Sequence, residues 1–335
     1  MSAPLLSLDN VSVQFAVGGG LFKAPQQLQA VREVSLTIHA GERLGIVGES
    51  GCGKSTLARA ALGFVPAAQG RVLWRGQDIA TLSDADRRRF RAAVQIIFQN
   101  PLASLNPRMT VGDIIAEPLE VFAPELDART RRSLAAEWLV RVGLRADMAD
   151  RFPSEFSGGQ AQRIAIARAM ICKPELLICD EAVSALDVSI KAQVINLLKQ
   201  LSRDTGVALM FISHDLAIVR QVASQVMVMY LGRTMETAPA VDLFAQPRHP
   251  YTQALLSAAP IPDPVAEAAR VPILLGTDLP SPLAPPSGCV FRTRCPIAKP
   301  NCIRIAPPLD GEALHRTACH YPGTDLRGQS LLQTS

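Results

Sequence analysis

Gly48-Glu49-Ser50-Gly51-Cys52-Gly53-Lys54-Ser55 decides how this chain is read, because the apolar run Leu44–Val47 precedes it and the helix-like run Thr56 to Phe64 follows it. The eight residues fit the pattern G-x-x-x-x-G-K-[ST], and a strand before with a helix after is the context a P-loop requires. Glycines let the backbone curl until successive N–H groups and the helix start face an anion, and Lys54 adds a point charge. The Ser55 hydroxyl suits Mg²⁺, which prefers oxygen donors. Residues 48–56, Thr56 included, are the candidate nucleotide contacts. Cys52 reads as a small loop residue with no chemistry of its own. The plain alternative is an ordinary Gly-rich turn from strand to helix.

Outward from this loop, short apolar runs alternate with helical patterns. Arg43–Val47, Gln95–Phe98, Leu176–Cys179, Val207–Ile212 and Gln225–Tyr230 read as buried strands. Ile190, Val194, Leu197, Leu198 and Leu201 fall on one helix face between the third and fourth of these. Strand–helix–strand order predicts parallel pairing through right-handed crossovers, hence an α/β fold. Residues 112–150 hold helix formers and no convincing strand, which predicts a helical insertion. Gly18-Gly19-Gly20 reads as a flexible loop, and no internal repeat is apparent.

Two acids end the third strand in Leu176-Leu-Ile-Cys-Asp180-Glu181, and in open α/β sheets the carboxyl ends of strands border the ligand crevice. Asp180 suits the outer shell of Mg²⁺, and Glu181 suits polarising a water for attack on a γ-phosphate. The alternative is that both cap the next helix. Val207 to His214 repeats the logic, delivering a polar His to the same edge.

Composition narrows the class. The chain has 335 residues, 48% hydrophobic and 19% charged, enough for about two folded domains and against a disordered or fibrous chain. Its net charge of +4 is too slight for a binder driven by counterion release. Arg87-Arg88-Arg89 with Arg91 lies beside Asp84 and Asp86 and reads as a solvated helix face, not a nucleic-acid patch. Apolar stretches such as Val207 to Tyr230 are broken by His214, Asp215 and Arg220, so no membrane span is expected. Met1 to Asn10 lacks the features of a secretory signal, so a cytosolic setting with reduced thiols is expected. Of 25 prolines, 16 fall after residue 237, and regular α/β structure is expected to end near there.

Phe156-Ser157-Gly158-Gly159-Gln160 closely matches the LSGGQ signature, and with it the chain resembles the nucleotide-binding subunits of ATP-binding-cassette transporters. The order of the other motifs fits the same family. Gln99 in Ile-Ile-Phe-Gln-Asn resembles the Q-loop, Ser184-Ala-Leu-Asp187 the D-loop, His214 the switch histidine, and Phe15 the aromatic residue that stacks on adenine. Phe156 in place of Leu, and Ala182 where Pro often stands, remove no reacting group. The two glycines also open a helical run, Gln160–Ile171, and so offer N–H groups to a second anion. The resemblance implies ATP with Mg²⁺ held by Ser55, Gln99 and Asp180, and catalysis by Glu181, His214 and Gln99. It implies a dimer in which the P-loop of one subunit and the signature of its neighbour close on one ATP, Asp187 coupling the two. It also implies a helical subdomain at about 100–155, hinged at Gln99, that meets transmembrane subunits.

Arg248-His-Pro-Tyr-Thr-Gln-Ala-Leu-Leu256, Leu279-Pro-Ser-Pro282 and the cysteines beyond resemble the C-terminal extension of dipeptide and oligopeptide permease ATPases. The division expected is a nucleotide-binding domain over 1–245 and an extension over 246–335. A paralogous ATPase, two permease subunits and, indirectly, a solute-binding protein are the implied partners, at the cytoplasmic face of the inner membrane, with no nucleic acid. Importers of nickel, haem precursors or glutathione share the core. A soluble ATPase acting on DNA or ribosomes is disfavoured, because the chain has one cassette and no coiled-coil insertion.

Cys289, Cys295, Cys302 and Cys319 stand at C-x5-C-x6-C-x16-C in a Pro-rich segment with little evident core, where small units usually need a staple. Disulfides, zinc, an iron–sulfur cluster and four unligated buried thiols are the candidates. The resemblance tips the expectation to a structural 4Fe-4S cluster.

Overall fold

The computed structural model describes residues 3–18, 26–258, 275, 279–312, 314–324 and 326. The expected loop at Gly19 and Gly20 and the proline run 260–264 lie outside the described residues. In chain order the strands are β1 (Leu6–Val17), β2 (Gln26–Ile38), β3 (Arg43–Val47), β4 (Gln69–Trp74), β5 (Gln77–Asp78), β6 (Val94–Ile97), β7 (Leu176–Asp180), β8 (Ala208–Ser213), β9 (Gln225–Tyr230), β10 (Arg233–Pro239), β11 (Asp310–Glu312) and β12 (His315–Thr317). The helices are α1 (Lys54–Ala61), α2 (Asp84–Ala93), α3 (Pro101–Ser104), α4 (Val111–Phe122), α5 (Ala128–Arg141), α6 (Gly158–Met170), α7 (Val188–Thr205), α8 (Leu216–Val222), α9 (Ala240–Ala245), α10 (Pro250–Ala258) and α11 (Asn301–Arg304). They fall into two compact units.

The first unit comprises Met1–Ser7, Thr37–Arg43 and Leu73–Ile212. Its centre is the parallel trio β6, β7 and β8, with Ile97 opposite Cys179 and Asp180 opposite Ile212. Every residue of β7 and β8 is buried, as expected for parallel strands covered on both faces. The helix between them, α7, buries Val194, Leu197, Leu198 and Leu201 and stops at Gly206, which takes the left-handed conformation at φ 72°. The expected insertion is present as α3, α4 and α5. Thr110 caps α4 by accepting the Asp113 N–H, and Asp127 caps α5 by accepting the Thr130 N–H.

The second unit comprises Leu8–Leu36, Leu44–Val72 and Ser213–Ser335. In it β3 pairs in parallel with β9, and β10, β12 and β11 extend the sheet in antiparallel fashion. A second sheet sets β2, β1 and β4 side by side in that order.

Regular structure thus runs past residue 237. Pro239 closes β10, and Pro250 opens α10 in the first turn, where a missing N–H costs nothing. The Pro-rich tail also has a core, contrary to expectation: Val290, Phe291, Cys289, Cys302 and Ala318 are buried, and β12 pairs Thr317 with Glu236. Glu236 is fully buried and accepts the N–H groups of Arg248 and His249 at 2.7 and 3.0 Å, with His315 Nε2 at 2.7 Å. These bonds hold the tail to β10.

Candidate nucleotide site

The second unit carries the loop 48–55, Phe15 and His214. Lys54 is buried at 4% exposure, and its Nζ donates to the carbonyls of Gly48 and Glu49 at 2.8 and 2.9 Å, with Cys52 Sγ at 3.8 Å. The ammonium therefore sits inside the curl, bonded to two carbonyl oxygens with a thiol nearby. Gly53 takes φ 105°, and a Cβ there would lie 2.2 Å from the Ala30 carbonyl oxygen, so glycine is required by both conformation and space. No side chain caps α1 at Gly53, and the first turn of such a helix, here with Ser55 and Thr56, is suited to an anion. Ser50 and Gly51 are exposed at the loop's rim. The Glu49 N–H does not face that rim; it donates to Tyr251 Oη at 2.9 Å. Burial raises the Cys52 thiol despite the nearby Lys54 ammonium, which fits a residue with no reactivity of its own. Phe15 is 37% exposed near the end of β1, so it is not a core phenylalanine, and His214 is exposed just after β8.

The first unit carries the acids and the signature. Asp180 ends β7 and is buried, and Glu181 follows it with φ 49°, a left-handed conformation that non-glycine residues rarely hold. Gln99 Nε2 donates to Glu181 Oε2 at 3.1 Å, bringing two of the sequence-predicted residues together. Neither acid caps α7, whose N-cap is the exposed Asp187. The capping alternative is thereby removed for Asp180 and Glu181.

At the signature, Ser157 Oγ accepts the Gln160 N–H at 3.4 Å, and the Ser157 N–H donates to Gln160 Oε1 at 3.0 Å. This reciprocal cap uses the two polar side chains to start α6. Gly158 and Gly159 form its first turn. A Cβ on Gly159 would stand 2.5 Å from Ile190 Cγ2, so this glycine also allows α6 to approach α7 closely. Phe156 and Ala182, the two departures from the usual motifs, are both buried.

The expected 4Fe-4S cluster is not supported. Cys289, Cys295, Cys302 and Cys319 line one small apolar cavity of about 10 Å³, room for about one water molecule. Among the described residues no group of three or more His, Cys, Asp or Glu is arranged to hold a metal ion. Burial pushes Cys295 to about 11 and Cys319 to about 12 and raises Cys289 as well. None of the four is in a disulfide; Cys289 and Cys302 are buried in the tail, and Cys295 and Cys319 are half-buried.

Sequence reasoning also missed Tyr251 and Arg294. Tyr251 lay in the stretch Arg248 to Leu256 and Arg294 beside Cys295, but nothing there pointed to a loop 202 and 245 positions earlier.

Residues 31–184 match the ABC transporter family, and residues 235–302 match the family described as oligopeptide/dipeptide transporter, C-terminal region. The oligopeptide transport ATP-binding protein OppF of Salmonella typhimurium is 51% identical over 94% of this chain and 95% of its own length. The di/tripeptide transport ATP-binding protein DppF of Pseudomonas aeruginosa is 46% identical over 95% of this chain and 97% of its own. Among solved structures, the ATP-binding cassette MJ0796, a dimer in a post-hydrolysis state bound to ADP and Pi, superposes with a TM-score of 0.62 at 26% identity, over 70% of this chain and 98% of that one. The loop at 48–55, the signature at 156–160 and near-complete coverage at high identity lead to one assignment: the chain belongs to the ATP-binding proteins of oligopeptide and dipeptide ABC transporters.

Proposed function

We propose that this chain hydrolyses ATP to drive import of di- and oligopeptides through a membrane permease. The observation that carries the reading is the oligopeptide/dipeptide transporter C-terminal region at 235–302, following the cassette in the same chain. The names of the relatives favour peptides over nickel, haem precursors or glutathione. Among the described residues no helix is long and apolar enough to cross a membrane. The transporter relatives support a peripheral place at the cytoplasmic face, through two permease subunits. A paralogous ATPase completes each ATP site, and a solute-binding protein supplies the peptide.

The functional division we assign is 1–245 for nucleotide chemistry, with the helical stretch 100–155 facing the permease, and 246–335 for the Pro- and Cys-rich extension. Glu181 polarises the attacking water, His214 and Gln99 sense the γ-phosphate, and Phe15 stacks on adenine. Residues 48–56 bind the phosphates of one ATP, and Ser157 to Gln160 bind those held by the neighbouring subunit, with Asp187 coupling the two. Ser55, Gln99 and Asp180 offer hydroxyl, amide and carboxylate oxygens, the donor set Mg²⁺ favours, and the ion neutralises phosphate charge when bound.

The test is uptake of labelled dipeptides, longer peptides and nickel in a deletion strain complemented with this chain. Peptide uptake without nickel uptake is expected. Nickel uptake alone, or none at all alongside intact ATPase activity, would overturn the peptide assignment. The isolated chain should be a weak ATPase whose activity rises with concentration and with its paralogue and permease.

A further inference from the structure

The C-terminal extension reaches the phosphate-binding loop inside the second unit. Arg294 Nη1 meets Glu49 Oε2 at 2.7 Å, across 245 positions of sequence. The two side chains are only 10% and 26% exposed, so their charges interact with little screening. Tyr251 holds the same residue from the other side, by accepting the Glu49 N–H. Behind them Tyr230, Tyr251 and Phe291 are fully buried, with ring centroids 4.8 Å apart for the two tyrosines and 5.3 Å from each tyrosine to Phe291. The Arg294 guanidinium lies over the Tyr230 ring at 5.8 Å. Burial works against its charge, but Glu49 and Tyr230 together outweigh burial and hold the guanidinium above its ordinary range.

Glu49 is an acid in a loop built to take an anion. Its backbone carbonyl already receives Lys54 Nζ, so its carboxylate stands on the same few residues that would meet a polyphosphate. Like charges at that range oppose binding unless a cation offsets them. The only cation bonded to that carboxylate among the described residues is Arg294.

We propose that Arg294 is a positioning residue for ATP: by pairing with Glu49 it cancels the carboxylate's charge in the phosphate-binding loop, so the C-terminal extension sets the chain's affinity for nucleotide. This rests on the reading of 48–55 as the ATP site. The extension then backs the ATP site, and Tyr230, packed on Tyr251 and Phe291, gives Arg294 a rigid base.

Calorimetric titration of the full chain with ATP tests this. Arg294→Met should raise the ATP dissociation constant about tenfold, the scale of one partly screened unit charge. Glu49→Gln added to Arg294→Met should restore affinity to within about threefold, because the charge that needed cancelling is gone. Added salt should narrow the deficit of Arg294→Met, as screening predicts. Arg294→Lys keeps the charge and should stay within about threefold of wild type even if Arg294→Met folds poorly. Wild-type affinity in folded Arg294→Met, or no recovery in the double variant, would overturn the proposal. Lys54→Ala separates the two readings. If Lys54→Ala binds ATP as wild type does, the loop is not the ATP site; if Lys54→Ala is weakened and Arg294→Met is not, only the role of Arg294 fails.

Discussion

The amide of Gln99, just past the end of β6, donates to the carboxylate of Glu181, just past the end of β7, over 3.1 Å. One bond thus ties the entrance of the helical insertion to the acid assigned to water activation. Glu181→Gln keeps the size and the hydrogen bonding but removes the proton acceptor. Turnover should fall by about 10²- to 10⁴-fold with ATP affinity retained. Phosphate release under saturating ATP, beside an equilibrium titration, reads both numbers. Full turnover in this variant would remove Glu181 from the chemistry.

Lys54 makes its bonds to the loop itself, so Lys54→Ala removes both a counter-charge for phosphate and a clamp on the curl. ATP affinity should drop at least about tenfold, with a smaller loss in thermal midpoint. Unchanged affinity by titration would contradict the assignment of the loop.

Much of the architecture could be read in advance because its signals are local. The strand at 225–230 is found as expected, and 176–180 and 208–213 differ by one residue from the apolar runs Leu176–Cys179 and Val207–Ile212. The face of α7 was set by Val194, Leu197, Leu198 and Leu201 at helical spacing. What stayed hidden depends on distant partners. Glu236 and His315 are 79 positions apart, and Glu49 and Tyr251 are 202 apart; neither pair leaves a periodic trace. Proline count misled for a physical reason, since Pro239 and Pro250 sit at element ends, where proline is tolerated. At the cysteines the resemblance misled, because a similar tail pattern says nothing of the room between the thiols.

Gly159 is fitted against Ile190, so Gly159→Ala forces a methyl group into α7. Overpacking of this kind costs about 1–3 kcal/mol. Ile190→Ala in the same chain should recover much of it, and a double-mutant cycle in denaturant measures the coupling. Additive losses would show that the contact carries no strain.

His249 is buried, and burial lowers its pKa from 6.5 to about 4, against a partial opposing pull from Glu236. Its Nδ1 accepts the Tyr251 N–H at 3.0 Å, which requires an unprotonated nitrogen. The unfolded chain binds the extra proton between about pH 6.5 and 4, so stability contributed here is present above 6.5 and lost as pH falls through that window. The loss is on the order of 3 kcal/mol by pH 4. Denaturation midpoints at pH 7.5, 6 and 5 should decline for wild type and decline less for His249→Gln. Parallel declines would assign the acid sensitivity elsewhere.

The pairing of β12 on β10 has a consequence for how this chain can be shortened. The sheet of the second unit now ends on β11, three exposed residues, Asp310-Gly311-Glu312, a short charged edge that disfavours pairing with another chain. A chain cut before Asp310 would instead end on the seven residues of β10, with the backbone opposite Arg316 and Thr317 left open and Glu236 deprived of His315. Such an edge recruits other strands. Its first symptom would be insolubility, appearing before any change in nucleotide chemistry could be measured.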